Sequence, residues 1–532
     1  MAKEINIKGA ELLVRTLEKL GVSRIFGLPG DSTQFFRALR RSHIKFVTMR
    51  DERGAGFAAD VYGRLTKKPA VVYVSRGPGG INAAGGITSS YLDASPAIYL
   101  IDQVLKKNYI RRTHMSVEFD KVLAPISKGV EIIWKPDDIP GALARAWADA
   151  LSHPRGPRCI IIPQDVFDES ADFFFVPPMK IKTEDFSTEA ADRLAFHLNR
   201  SKTPIAILGK GVLDHTGSPN FKKFIENHPI PFLTTRFAKG AISETHDRNY
   251  GIMAGRSELF KKADLVITIG FDHTDKPGSF VWLKNDKKIN HLDIAHFERP
   301  QLPWFSPDEN YSVDLANFFE IAQKKISPGK FPALEFTAKD WRKKITEKVI
   351  KEQGGKLLYK ILSKEYLGGI LGKEDVIISD TGVHKRHVLF AYEAPGPNSI
   401  FSVAYSTIGF AVPGAIGASF ARPKARVIAV CGDGGFLMSM ADLETIRRFK
   451  FPIKIIIVAD NSYGLIKQQQ QNDFGGNFGA DFTNPKFSYI AKAFGFQYVP
   501  VRLGKDLKNA KRVILSKTTP AIIVLYEKYR YK

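Results

Sequence analysis

The stretch VIAVCGDGGFLMSMADLETIRRFKFPIKIIIVADNSYG, Val427 to Gly464, decides how the rest of the chain reads. Its apolar opening, Val427 to Cys431, predicts a buried parallel strand. Gly432-Asp433-Gly434-Gly435 ends that strand, and its glycines let the backbone turn sharply and come close to a ligand. Phe436, Met440, Leu443, Thr445 and Ile446 follow at roughly helical spacing. A second apolar run, Ile453 to Val458, ends at Asp460-Asn461-Ser462. The whole is one βαβ unit with a right-handed crossover. Asp433 and Asp460, 27 positions apart, then both sit just past the carboxyl ends of parallel strands. Open α/β sheets bind ligands at that edge. Two carboxylates beside glycine amides at a helix start suit a divalent cation carrying a diphosphate. A tight turn at GDGG with Asp460 as a helix cap is the bland alternative; the second strand, ending in Asp-Asn at this distance, weighs against it.

This stretch resembles the diphosphate-binding motif of thiamine diphosphate enzymes, GDG followed at a similar distance by Asn-Asn or Asp. It is most similar to that of acetolactate synthases and their relatives. The resemblance implies that Asp433, Asp460 and the backbone carbonyl of Ser462 hold Mg²⁺. It further implies that Gly432, Gly434, Gly435, Phe436, Ser462, Tyr463 and Gly464 line the cofactor.

Length and composition are consistent with such an enzyme. A chain of 532 residues accommodates two to four domains. With 44% apolar and 25% charged residues it has the balance of a soluble globular protein. Its apolar runs are too short to span a bilayer, and MAKEINIKGAELL lacks the apolar core of a secretory signal. Cys159 and Cys431, the two cysteines, lie in apolar runs and read as buried thiols of a cytoplasmic protein. The net charge of +23 is scattered in twos and threes, without the long basic tract or aromatic-basic pattern of a nucleic-acid binder. It reads as a lysine-rich solvated exterior, and neither a nucleic acid nor a membrane is expected as partner.

Residues 1–175 alternate strand and helix patterns, as a parallel sheet requires. A helix over Gly9–Leu20 leads to a strand at Arg24–Gly27 and the turn Leu28-Pro29-Gly30-Asp31. A strand at Ile44–Thr48 ends at Arg50-Asp51-Glu52-Arg53, with a helix over Ala55–Leu65. A strand at Ala70–Ser75, the glycine loop Arg76-Gly77-Pro78-Gly79-Gly80 and a strand at Ala97–Ile101 follow. A Glu ahead of a helix is ordinarily a first-turn residue favoured by the helix dipole. Here strand, acid, Gly-Ala-Gly-Phe-Ala-Ala-Asp, strand and GPGG together resemble the pyrimidine-binding domain of the same family. The resemblance implies that Glu52 hydrogen-bonds the cofactor's aminopyrimidine and relays a proton there, an effect typically worth about 10²–10⁴ in rate. It also places Pro29, Gly77 and Asn82 at the cofactor, and Gly30 and Asp31 toward the substrate.

His114-Met115-Ser116 stands where acetolactate synthase-like proteins carry Phe-Gln-Glu. Met115 removes a polar substrate contact, which the adjacent His114 is placed to supply; otherwise Met115 simply packs. The segment Glu169–Glu189 reads as a linker from its prolines and mixed charges. The central domain, residues 190–325, resembles the family's middle domain, which holds FAD in some members. Phe271-Asp272-His273-Thr274-Asp275 replaces the arginine-rich flavin signature, so FAD is the less favoured expectation. Asp293, at a strand end, is a candidate to bind a ribose, but a turn residue is the favoured reading. A second linker and an amphipathic helix occupy about 326–350.

The third domain, residues 350–532, contains the opening stretch. Ahead of it a strand at Val376–Ser379 leads to Asp380-Thr381-Gly382-Val383-His384, which resembles a turn that contacts the diphosphate, with His384 as side-chain donor. A solvated turn histidine is the other reading. Ser406-Thr407-Ile408-Gly409-Phe410 resembles the turn that keeps the cofactor bent, and Ile408 takes the place of the apolar wedge. Otherwise Ile408 is a core residue. Gln469 stands where anabolic relatives carry a Trp that selects the larger acceptor, and Asn472–Asn484 reads as a mobile lid.

The sequence thus predicts an α/β protein of three consecutive open parallel-sheet domains: pyrimidine-binding, central and diphosphate-binding. No sequence repeat links the first and third. By resemblance it uses thiamine diphosphate and Mg²⁺ to decarboxylate a pyruvate-like 2-oxoacid and transfer the acyl carbanion to an acceptor carbonyl. Simple decarboxylation, or acyloin or C–C lyase chemistry, is the alternative. An inactive cofactor-binding partner subunit would lack Glu52 or the metal acids, and both are present. The family's arrangement implies a homodimer or homotetramer with active sites at the subunit interface.

Overall fold

The computed structural model describes residues 4–181, 184–253, 258–275, 288–298, 302–326, 331, 334, 336–527 and 529. Residues 182–183 of the first expected linker and 327–330, 332, 333 and 335 of the second lie outside them. So do 254–257, 276–287 and 299–301 of the central region, and 1–3, 528 and 530–532 at the ends.

Among the described residues, three six-stranded sheets carry the fold, each parallel throughout. Strands such as Ala70–Val74 are buried along their whole length, because a parallel sheet is covered by its crossover helices on both faces. The first sheet runs across Lys45–Thr48, Arg24–Gly27, Ala70–Val74, Ala97–Gln103, Pro157–Pro163 and Val130–Ile132. The third runs across Ser399–Phe401, Val376–Ser379, Val427–Gly432, Lys454–Ala459, Ala521–Tyr526 and Gln497–Val501. Taken in chain order, both place the second strand at one edge, then the first, third, fourth, sixth and fifth. The two domains therefore share a topology that no sequence repeat announces. The central sheet differs: its third, second and first strands are followed by the fourth, fifth and sixth, the order of dinucleotide-binding folds.

The chain forms two compact units. One comprises residues 1–182, 409–424 and 436–453, and the other 183–408, 425–435 and 454–532. The first sheet lies in the first unit, the other two in the second.

Several local expectations change. The Glu52 helix starts at Glu52, not Ala55, and runs to Thr66, because the Asp51 side chain caps it by accepting the Gly54 N–H. The glycine loop is itself a short helix, Pro78–Asn82, entered through Gly77 at φ +61° with proline at its first position. The expected first linker contains a strand, Ser170–Phe173, paired antiparallel with Glu4–Lys8, and from Ser187 it is helical. The paired residues stand 162 to 169 positions apart in the chain, from Lys8 with Ser170 to Glu4 with Phe173, which no local pattern discloses. Asp293 is no turn residue: it lies within the strand Asn290–Ala295, buried, accepting the Thr268 hydroxyl at 2.6 Å. Cys159 and Cys431 are buried free thiols. Among the described residues no helix is long and apolar enough to cross a membrane.

Candidate active site

Between the first and third strands of a sheet ordered this way, connections leave to opposite sides and open a crevice at the carboxyl edge. In the third sheet those strands are Val376–Ser379 and Val427–Gly432, adjacent in register. They end at Asp380 and Asp433.

Asp433 is 1% exposed, and its carboxylate organises the edge. Oδ2 accepts the backbone N–H of Asp460 at 3.0 Å and of Asn461 at 2.7 Å, and the Asn484 amide at 2.6 Å. Oδ1 accepts Gly434 N–H at 2.9 Å. Burial raises the Asp433 pKa, and these hydrogen bonds oppose the rise. Asp460, half-buried, accepts Ser462 N–H on Oδ1 at 3.3 Å. Ser462 is buried and bridges Asp481, while Tyr463 N–H donates to the Ala480 carbonyl. The stretch expected as a lid is thus tied down at its far end. Asn484, missed in the sequence, is a principal partner of Asp433; an Asn ahead of Pro485 in a glycine-rich loop was the available signal.

The glycines here answer to space. A Cβ on Gly435 would stand 2.7 Å from Asp380 Oδ2 and 3.3 Å from Ile408 Cγ2; one on Gly434 would stand 2.7 Å from the Tyr463 ring. His384 is buried 3.5 Å from where a Gly432 Cβ would be, and its Nε2 has no hydrogen-bond partner. Burial first, then the Lys385 charge, pushes its pKa down to about 3. It is no solvated turn residue. Ser406, exposed, adopts a left-handed φ of 51° and donates to the Val403 carbonyl at 2.6 Å. Ile408 is half-buried, which a core residue would not be. Gly464 opens the helix Gly464–Phe474, which buries none of its residues and leaves Gln469 exposed.

At the edge of the first sheet, Glu52 is half-buried and its Oε2 accepts the Asn82 amide at 3.2 Å. Met115, at a left-handed φ of 58°, packs on Gly77: a Cβ there would lie 3.2 Å from the Met115 Cβ. His114 and Pro29 are exposed, and Gly30 is half-buried. Asp31 forms a two-pronged ion pair with Arg76. Phe436 is fully buried.

The segment after GDGG supplies a second residue that sequence reading missed. Asp442, 2% exposed, accepts Arg50 N–H at 3.0 Å, and Thr445 Oγ1 donates to the Thr48 carbonyl at 3.1 Å. Both hold the backbone just ahead of Glu52. Burial pushes Asp442 up to about 7. An acid next to Leu443 of the apolar stripe was the clue. Among the described residues no group of three or more His, Cys, Asp or Glu is placed to hold a metal ion, so a cation here would rely on few protein carboxylates.

A buried Asp-Gly-Gly opening the short helix Asp433–Ser439, and an aspartate just past the next strand, lie at one sheet edge of a chain whose first domain repeats the topology. Residues 7–122 match the thiamine pyrophosphate enzyme N-terminal TPP binding domain, 191–302 the central domain, and 380–525 the C-terminal TPP binding domain. The chain belongs to this family and is a thiamine pyrophosphate-dependent enzyme. Within the family it is acetolactate synthase-like. It is 28% identical to the acetolactate synthase of Bacillus subtilis, over 97% of this chain and 92% of that protein. To the probable acetolactate synthase large subunit of Methanocaldococcus jannaschii it is 28% identical, over 96% and 90%. To the acetolactate synthase large subunit of Lactococcus lactis it is 26% identical, over 98% and 92%.

Proposed function

We propose that this enzyme decarboxylates a pyruvate-like 2-oxoacid and transfers the acyl unit to an acceptor carbonyl, with Mg²⁺ as the anchor of thiamine diphosphate. The observation that carries the reading is the Asp433 carboxylate, fixed at the switch point of the third sheet beside two glycines that admit no side chain.

The residues fit a magnesium diphosphate. The donor set is hard oxygen, from Asp433, Asp460 and the Ser462 carbonyl, and Mg²⁺ prefers few carboxylates completed by phosphate oxygens and water. The unpartnered buried Nε2 of His384 and Oδ1 of Asn484 leave polar capacity unused at the same edge, where a buried polar atom calls for a partner. Thiamine diphosphate, when bound, supplies an electron sink for the carbanion.

The chain's own tasks follow. Gly432, Gly434, Gly435 and Phe436 present backbone to the diphosphate, with Tyr463 and Gly464 closing the far side. Ser406 and Ile408 shape the turn beside it. Glu52, oriented by Asn82, exchanges a proton with the aminopyrimidine; Gly77 and Pro29 flank it. Gly30, Asp31, His114, Met115 and Gln469 face the substrate. Met115 packed on Gly77 offers substrate no hydrogen bond, and this favours simple decarboxylation as the second reading. The cofactor is taken to lie between the first domain of one protomer and the third of another, in a homodimer or homotetramer. We place the enzyme in the cytoplasm, with domains at 1–175, 190–325 and 350–532, and FAD as the less favoured further cofactor.

The test is turnover of pyruvate by the purified protein with thiamine diphosphate and Mg²⁺, products followed by NMR. Acetolactate or acetoin supports carboligation. Aldehyde and CO₂ alone support the second reading, and no CO₂ from any 2-oxoacid defeats both.

A further inference from the structure

A polar cluster at the carboxyl edge of the first sheet takes no part in the roles above. Asp102, near the end of the strand Ala97–Gln103, is 1% exposed, and its Oδ2 accepts two hydroxyls at 2.5 Å, from Ser32 and Tyr73. Burying a carboxylate is costly unless it is well hydrogen-bonded. What it holds therefore matters.

Ser32 stands at the N-cap of the helix Thr33–Arg40, where a serine hydroxyl ordinarily accepts a helix N–H. Here its side chain makes no capping bond and turns to Asp102. A local rule given up in this way marks a competing demand on the residue. Tyr73, from the strand Ala70–Val74, stacks its ring on Phe35 at 4.8 Å and brings its hydroxyl 2.9 Å from where a Gly30 Cβ would stand. The same turn is gripped from two further sides. Arg76 holds Asp31, and the Gln164 amide reaches both Asp31 Oδ1 and Ser32 Oγ at 3.4 Å. The turn Leu28–Asp31 sits at the switch point of the first sheet, between the ends of its first and third strands.

We propose that Asp102 is a positioning residue: through Ser32 and Tyr73 it fixes the turn Leu28–Asp31, and so where Gly30 and Asp31 stand against the substrate. The substrate side of this rests on the role assigned to that turn under the proposed function. The charges facing Asp102 are Arg76, which favours its ionised form, and Asp31, which disfavours it, with the Tyr73 hydroxyl in direct contact. Burial, the largest influence, pushes Asp102 up to about 7. The clamp is thus ionised above neutral pH and protonated below it.

The experiment compares wild type, Asp102→Asn, Tyr73→Phe and Ser32→Ala, all loaded with thiamine diphosphate and Mg²⁺. Backbone hydrogen exchange over residues 28–32 is the first readout, and pyruvate kcat and KM against pH the second. Asp102→Asn is expected to raise exchange in that turn about tenfold or more, leaving the Glu52 helix unchanged. KM should rise more than kcat falls, and an acid limb near pH 7 in wild-type kcat/KM should disappear. Unchanged exchange in the turn overturns the proposal, and so does raised exchange with KM and pH profile intact. Should Asp102→Asn not fold, Tyr73→Phe keeps the ring packing while removing one hydroxyl, and the same two outcomes decide. Raised exchange in a protein whose wild type does not turn over pyruvate would sustain the clamp and defeat only the substrate reading.

Discussion

Asn484 donates its side-chain amide to Asp433 Oδ2 at 2.6 Å across 51 positions of sequence. The same nitrogen reaches Asn461 Oδ1 at 2.6 Å, so one amide joins the two loops that leave the third and fourth strands of the sheet. With Oδ2 taken by three donors, Oδ1 of Asp433 carries a single hydrogen bond and keeps capacity for a cation. Under the proposed function, Asn484 orients the Asp433 carboxylate through this amide.

Asn484→Ala is therefore expected to weaken Mg²⁺ about 10–100-fold, as loss of an orienting partner typically does. Titration of Mg²⁺ into protein with saturating thiamine diphosphate, read by calorimetry, measures it. Affinity equal to wild type would remove Asn484 from the site.

Glu52→Gln keeps the shape and the Asn82 contact but cannot relay a proton. Turnover should fall by about 10²–10⁴ with cofactor affinity little changed. CO₂ release followed by NMR checks the first part and calorimetry the second. Full activity in the variant would leave the relay without its group.

Gly435→Ala places a methyl 2.7 Å from Asp380 Oδ2 and 3.3 Å from Ile408 Cγ2. Overpacking of this kind costs about 1–3 kcal/mol, and the displaced backbone should no longer accept a diphosphate. Thermal unfolding with and without cofactor separates the two effects: a lower midpoint without it, and no upward shift on adding it. A normal shift would mean the diphosphate lies elsewhere.

Burial pushes the His384 pKa down from 6.5 to about 3. The unfolded chain takes up this proton below about 6.5, the folded chain only near 3. Its contribution to stability is present above 6.5 and lost as pH falls through that window, with a slope of up to about 1.4 kcal/mol per pH unit. His384→Gln should flatten the denaturant-derived stability curve between pH 4 and 6 by roughly one proton. Curves of equal steepness would show that His384 is not buried neutral.

Sequence pattern alone determined the parallel strands, the end of the strand Val427–Gly432, Asp433 and Asp460 at one edge, and a helix in the segment that follows Glu52; that Asp433 opens a helix of its own and that Glu52 begins the other came from the structure. Each follows from short-range periodicity, and such signals are complete within a few residues. Tertiary structure alone decided the rest. It bent Asn484 back to Asp433, set Asp442 under the Glu52 backbone, and drew Ser32 from its cap to Asp102. It also gave the first and third sheets one strand order without a shared sequence. The reason is physical: a sequence shows that a side chain can hydrogen-bond, but the partner is chosen by strand order and register, which bring together residues tens to hundreds of positions apart.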